Sequence, residues 1–298
     1  MAYIIGIDIG GTKIHGILMK GGRIIERVHV LHKKRTREAV LEVILRTVET
    51  LQQFAVGEKI DGIGIGVPSD LDEKRGTLLS APNFPALRGL GLSSWLQRRS
   101  HIPIRLENDA RCFVKGAKAS FPVRSRGRLG APIIVGLTIG TGLGGGVLVG
   151  KKIWAGAHDM AGEIGHTVIM PKGERCVCGQ RGCLEMYASR KFIMRVGGKE
   201  PKELGESAFS GNRKAKKIYE DFGYNLGIGI ANIANTLDPD AVVLGGGIAN
   251  AHKLFLRVAR KVAFAHIISG RAKRLPIMPA KNIDDAGALG AAMLFESF

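Results

Sequence analysis

A length of 298 residues exceeds most single domains, and 45% hydrophobic with 23% charged residues is an ordinary globular composition, which excludes a disordered chain. The formal charge of +18 invites a polyanionic partner, but the basic clusters (residues 32–35, 98–99, 124–128, 214–217 and 271–274) are scattered and no aromatics interleave with them. A solvated basic surface with no nucleic-acid partner is the expectation, and no apolar run reaches the ~20 residues of a membrane span.

The chain enters a strand pattern at once. Residues 3–9 are an apolar run that leaves no room for a signal peptide, which points to the cytoplasm. That run ends at Gly10-Gly11-Thr12-Lys13. Residues 14–19 read as a second strand, and Lys20-Gly21-Gly22-Arg23 as a hairpin turn into a third over 24–31. Val40, Leu41, Ile44, Leu45, Val48 and Leu51 recur at helical spacing and predict a helix over 36–55. A strand over 60–67 closes at Pro68, 80–91 is a Pro/Gly-rich loop, and 92–99 a short helix. A strand over 104–107 leads into Asn108-Asp109 and a helix over 110–121.

The basic stretch 122–130 reads as an exposed link between domains. Residues 132–148 return to strand, glycine turn, strand, with a turn at 150–152. Beyond a glycine-punctuated loop, 189–234 is mostly helical with a break around 197–201. A buried strand over 241–244 precedes Gly245-Gly246-Gly247 and a helix over about 250–266. Residues 284–298 form a final helix with small residues on one side. Sliding the chain by 130 residues lays 5–20 on 135–150, matching Gly6 with Gly136, Gly10 with Gly140 and Gly16 with Gly146. Two duplicated halves facing across a cleft are therefore expected, in an α/β fold.

Two turns, Gly10-Gly11-Thr12 and Gly140-Thr141-Gly142, offer backbone N–H groups where no Cβ blocks a phosphate, although either could be a plain hairpin turn. Neither has the Walker pattern or a glycine fingerprint opening into a helix, so a dinucleotide fold is disfavoured. Asp8 suits a magnesium ion held through water, and Thr12 and Lys13 suit phosphate oxygens. Asp109, after a strand and beside Asn108, could accept a hydroxyl proton or simply cap a helix. Cys176, Cys178 and Cys183 share one loop with His166 upstream, bracketed by Glu163 and Glu185. One imidazole and three thiolates suit a tetrahedral soft dication, against a disulfide or unpaired core thiols. Glu163, His166 and Glu185 also offer acceptors to neutral hydroxyls.

The chain resembles the ROK family of sugar kinases and repressors within the actin/hexokinase/Hsp70-like superfamily. Asp8-Ile-Gly-Gly-Thr-Lys13 resembles its first phosphate motif, residues 136–150 the second, and Val242-Val-Leu-Gly-Gly-Gly247 the adenosine motif. Gly165-His166 followed by Cys-x-Cys-Gly-x-x-Gly-Cys-x-Glu resembles the zinc-containing members. The resemblance implies two actin-like (ribonuclease H-like) lobes. Residues 1–121 with the helix 284–298 would form the smaller, and 122–283 the larger with the zinc loop.

It also implies an ATP-dependent hexose kinase that makes the 6-phosphate, of glucose or a broader set of hexoses and N-acetylhexosamines. Asp109 would be the general base, with Asn83, Asn108, Glu163, His166 and Glu185 on the sugar hydroxyls. Asp8, Gly10, Gly11, Thr12, Lys13, Thr141, Gly142, Gly245, Gly246 and Gly247 would hold ATP and Mg²⁺. His166, Cys176, Cys178 and Cys183 would hold a structural Zn²⁺. The Gly-Trp that usually follows the Asn83 loop is replaced by Ala86-Leu87. Polyphosphate as donor is the alternative the basic surface raises. A sugar-responsive regulator is disfavoured, since the first phosphate motif begins at Asp8 with no helix-turn-helix ahead of it. A homodimer is the expected assembly.

Overall fold

The computed structural model describes residues 3–11, 13–31, 36–72, 76–80, 84–118 and 130–295. The chain divides into two compact units, Met1–Ser120 with Asp284–Phe298, and Phe121–Ile283. Among the described residues, no helix is long and apolar enough to cross a membrane.

In the first unit the elements run β1 (Tyr3–Ile9), β2 (Lys13–Lys20), β3 (Arg23–Leu31), α1 (Arg37–Gln52), β4 (Ile60–Val67), β5 (Asp70–Asp72), β6 (Thr77–Ser80), α2 (Leu92–Ser100), β7 (Ile104–Asn108) and α3 (Asp109–Lys118). The sheet order is β3-β2-β1-β4-β7, with β1 antiparallel to β2 and parallel to β4. Ile5 and Ile7 on one face of β1 and Ile4 on the other are all buried because both sheet faces are covered, whereas β3 alternates exposed and half-buried residues as an edge strand does. Gly21 and Gly22 have φ of 55° and 78°, the left-handed pair that a two-residue hairpin needs.

Helix α1 covers one face: a Cβ on Gly16 of β2 would meet Thr47 at 2.6 Å. It starts where Thr36 accepts the Ala39 N–H, and ends earlier than the predicted residue 55. The chain there closes into tighter turns, Phe54 N–H to Leu51 and Ala55 N–H to Gln52. The C-terminal helix, Ala286–Ala292, covers the other face and is buried along its whole length. It is shorter than predicted, and its small residues are not confined to one side. Gly6 and Gly64 of the sheet press on it from below while Gly116 of α3 presses from beside it, so at those contacts the partners stay without a Cβ. The β5–β6 hairpin, which carries no alternating apolar pattern, is absent from the prediction.

The second unit contains β8 (Ile133–Ile139), β9 (Leu143–Val149), β10 (Lys152–Ile153), α4 (Arg190–Gly197), α5 (Pro201–Phe209), α6 (Arg213–Leu237), β11 (Ala241–Gly245), α7 (His252–His266) and β12 (Ile277–Pro279). Its sheet order, β10-β9-β8-β11-β12, repeats the first: an antiparallel hairpin beside β8, then parallel β11 and β12. The 130-residue shift relates β1 to β8 correctly but misplaces β9 by one residue. Ile9 pairs with Ile14 across a four-residue turn, whereas Ile139 pairs with Leu143 across three. The counterpart of Gly16 is therefore Gly145, not Gly146. The sequence reading missed β12, which has only three residues, and the break at 210–212 between α5 and α6, where Asn212 caps the longer helix.

Candidate functional site

The end of β1 carries the first glycine turn. Gly10 N–H donates to Lys13 O at 2.9 Å, and a Cβ on Gly11 would meet nothing within 4 Å, so that side of the turn is open. Asp8 precedes the turn, and its carboxylate lies against Gly287 of the C-terminal helix, where a Cβ would collide with it. Burial, then the nearby charge of Asp109, push the Asp8 carboxyl up to about 7, with Lys13 pulling the other way. Opposite Asp8 in the β1–β2 register stands His15, whose Nε2 lies 3.0 Å from Asp285 Oδ1; Arg27 donates to both oxygens of Asp285. That network, not foreseen from sequence, ties the start of the C-terminal helix to the sheet beside Asp8.

Asn108 and Asp109 sit where β7 becomes α3. Asn108 Oδ1 accepts from Ala110 N–H at 3.0 Å and Arg111 N–H at 3.3 Å, so the helix cap, which the local sequence favours at Asp109, is Asn108. Asp109 is the first helical residue, with Oδ1 accepting from Ala110 N–H at 2.9 Å. A buried pair braces the junction from below: Arg111 donates to Glu107, which also accepts the Asn108 N–H at 2.7 Å. Thr12 and Asn83 lie outside the described residues.

In the second unit the turn from β8 to β9 is closed by Gly140 N–H donating to Gly142 O at 2.9 Å. Gly140 is open, but a Cβ on Gly142 would run into the Glu185 carboxylate. Gly142 is thus glycine because of Glu185, a reason the phosphate argument does not contain. Glu185 Oε2 accepts from Leu143 N–H at 3.0 Å and Oε1 from Lys191 Nζ at 2.5 Å, so both oxygens have protein partners. Lys191 had no sequence signal beyond standing six residues from Glu185. Glu163 precedes and His166 ends a short 3-10 turn, Ile164–His166, seated on β9 because Gly165 abuts the Leu143 carbonyl. Glu163 is exposed and His166 half-buried. Gly246, at φ 79°, packs on the backbone of Ile139, leaving Gly247 open where β11 ends.

The cysteine loop is a knuckle. Cys176 N–H donates to Gln180 O and Gly179 N–H to Cys176 O, turning the chain so that Cys176 and Cys178 face Cys183, which makes an isolated antiparallel bridge with Val168. The ligand atoms of His166, Cys176, Cys178 and Cys183 all lie within 4.8 Å of one another. Cys178 Sγ is 3.6 Å from Cys183 Sγ, and His166 Nδ1 is 3.6 Å from Cys176 Sγ. Those spacings exceed an S–S bond and match the edges of a tetrahedron with metal–sulfur bonds near 2.3 Å, so the four residues could hold a metal ion and form no disulfide. Burial, with the neighbouring thiols adding, pushes the Cys183 thiol up to about 12, a cost that a central dication would reverse.

A family model described as the ROK family matches residues 4–297. Glucokinase of Thermotoga maritima is 32% identical over 319 residues, covering 98% of this chain and 97% of that protein. The xylose repressor of Bacillus spizizenii is 30% identical over 307 residues, covering 99% of this chain and 78% of the repressor. A ROK family glucokinase from Streptomyces griseus, solved in complex with glucose and AMPPNP, matches with a TM-score of 0.83 at 30% identity, covering 98% of this chain and 99% of that one.

Proposed function

The chain belongs to the ROK family, and on that premise we propose that it is an ATP-dependent hexose 6-kinase, with the two α/β units as its actin-like lobes. Glucose and the ATP analogue bound by the Streptomyces griseus relative supply the substrate pair. The observation that carries the reading is the division of labour at the start of α3. Asn108 accepts from both Ala110 N–H and Arg111 N–H, whereas Asp109 shares only the Ala110 N–H through Oδ1, so the cap does not depend on the carboxylate alone.

Asp109 accepts the proton of the sugar 6-hydroxyl as that oxygen attacks the γ-phosphorus. The new O–P bond forms, the bond to the β,γ-bridging oxygen breaks, and ADP leaves with that electron pair. Asn83, Asn108, Glu163, His166 Nε2 and Glu185 bind the other hydroxyls. Gly10, Gly11, Thr12, Lys13, Thr141 and Gly142 meet the phosphates through N–H, hydroxyl and ammonium donors. Gly245, Gly246 and Gly247 pack on the adenosine. Mg²⁺, when bound, spreads the charge of the phosphates, and Asp8 would hold it through water. His166, Cys176, Cys178 and Cys183 would hold Zn²⁺ as a structural ion. A homodimer in the cytoplasm, where ATP and reduced thiols coexist, completes the reading.

Asp109→Asn is the test. It should leave glucose binding measurable by calorimetry and lower kcat by about 10³-fold, the usual weight of a general base. Turnover within tenfold of the parent would remove Asp109 from this role. A parent protein that phosphorylates no hexose with ATP would overturn the kinase reading as a whole.

A further inference from the structure

We propose that Lys191 is a positioning residue: acting through Glu185, it locks the second glycine turn to the Cys/His loop, so that metal loading of the loop sets how the turn meets the donor phosphates. The last clause rests on the reading of Gly140 to Gly142 as a phosphate turn.

The contacts form one chain. Glu185 is buried, two residues beyond Cys183, and its carboxylate works in two directions. Oε2 accepts the Leu143 N–H at 3.0 Å and fills the space beside Gly142, while Oε1 accepts from Lys191 Nζ at 2.5 Å and stands 4.0 Å from Cys176 Sγ. Backbone links close the loop. Ser189 Oγ donates to Glu185 O at 2.6 Å, Lys191 N–H donates to that hydroxyl at 3.1 Å, and Arg190 N–H donates to Gly140 O at 2.9 Å. The start of α4 therefore grips both the turn and the carboxylate that touches it.

Two other lysine pairs of this unit, Lys199–Glu203 and Lys217–Asp221, join exposed residues only four positions apart in the chain. Lys191–Glu185 differs in being shielded and in joining two elements. A buried carboxylate that loses its cation must find water or another donor, and its other oxygen moves with it. Its remaining lone pairs leave room for a sugar hydroxyl as well.

The test uses the metal-loaded parent, Lys191→Met, Lys191→Arg and the chelator-stripped parent, followed by hydrogen exchange with no substrate present. Exchange at Leu143 N–H should quicken about tenfold in Lys191→Met and in the stripped parent, as for the loss of one charge-assisted bond, while α6 amides keep their protection. Lys191→Arg should restore most of it, and Lys191→Met should retain its full metal content. In steady state, KM for ATP should rise several-fold in Lys191→Met and return most of the way in Lys191→Arg. Unchanged Leu143 exchange in both perturbed samples overturns the brace. Quickened exchange with an unchanged KM for ATP overturns the positioning role. Quickened exchange in the two perturbed samples of a protein whose parent turns over no ATP supports the brace and rejects the kinase reading instead.

Discussion

Asp8 shows how one side chain answers to its surroundings. Its carboxyl ordinarily titrates at 3.8 and is pushed up to about 7, first by burial and then by Asp109. The folded-state value lies above the unfolded one, so the folded chain binds the proton more tightly. In metal-free protein this group costs nothing below about pH 4. Its cost grows as pH rises to about 7 and then levels off at a few kcal/mol, less whatever water reaching the half-buried carboxylate recovers. A divalent cation reverses that cost only where Asp8 is ionised. The thermal midpoint should therefore rise more on adding Mg²⁺ at pH 8 than at pH 5.5, and Asp8→Asn should abolish the difference. An equal rise at both pH values in the parent would remove Asp8 from the cation site.

At the scale of elements, glycines separate structure from chemistry. A Cβ on Gly116 would drive into the backbone of Ala286 and Gly290, forcing α3 away from the C-terminal helix. A backbone obstacle cannot rotate aside, so Gly116→Ala should cost about 3 kcal/mol or more in chemical denaturation. Gly11→Ala meets nothing within 4 Å and should leave stability unchanged while raising KM for ATP, because a methyl group then stands where a phosphate is proposed to approach. A Gly11→Ala enzyme with the parent's KM would take that turn out of donor binding. The same contrast explains what the sequence revealed. The paired hairpins, the helix periodicity of α1 and the Cys/His loop were legible because they are local patterns of spacing. Lys191, the Asp285 network and the capping role of Asn108 were not. Each depends on which side chains tertiary packing or one turn's dihedrals bring together, and a lysine six residues from a glutamate carries no signal of its own. The one-residue slip of β9 had the same origin, since a fixed shift cannot register a turn shorter by one residue.

The whole molecule carries a formal charge of +18, and the charge is unevenly spread: no Asp or Glu stands between Asp240 and Asp284. Within that stretch Lys253, Arg257 and Lys261 are exposed at four-residue spacing along α7, directly after the glycine turn proposed for adenosine. A field of that sign does little for a fold, but it raises the local concentration of anions. Of the two proposed substrates, ATP is strongly anionic and glucose is neutral. Screening falls to about 8 Å at 0.15 M salt, so added KCl should lower kcat/KM for ATP severalfold between about 20 and 300 mM while kcat/KM for glucose barely moves. Potassium sulfate at matched ionic strength should act alike if screening is the cause, and more strongly if anions compete for the phosphate turns. Equal salt dependence for both substrates would leave the excess charge with no part in donor capture, and the basic surface would then serve solvation alone.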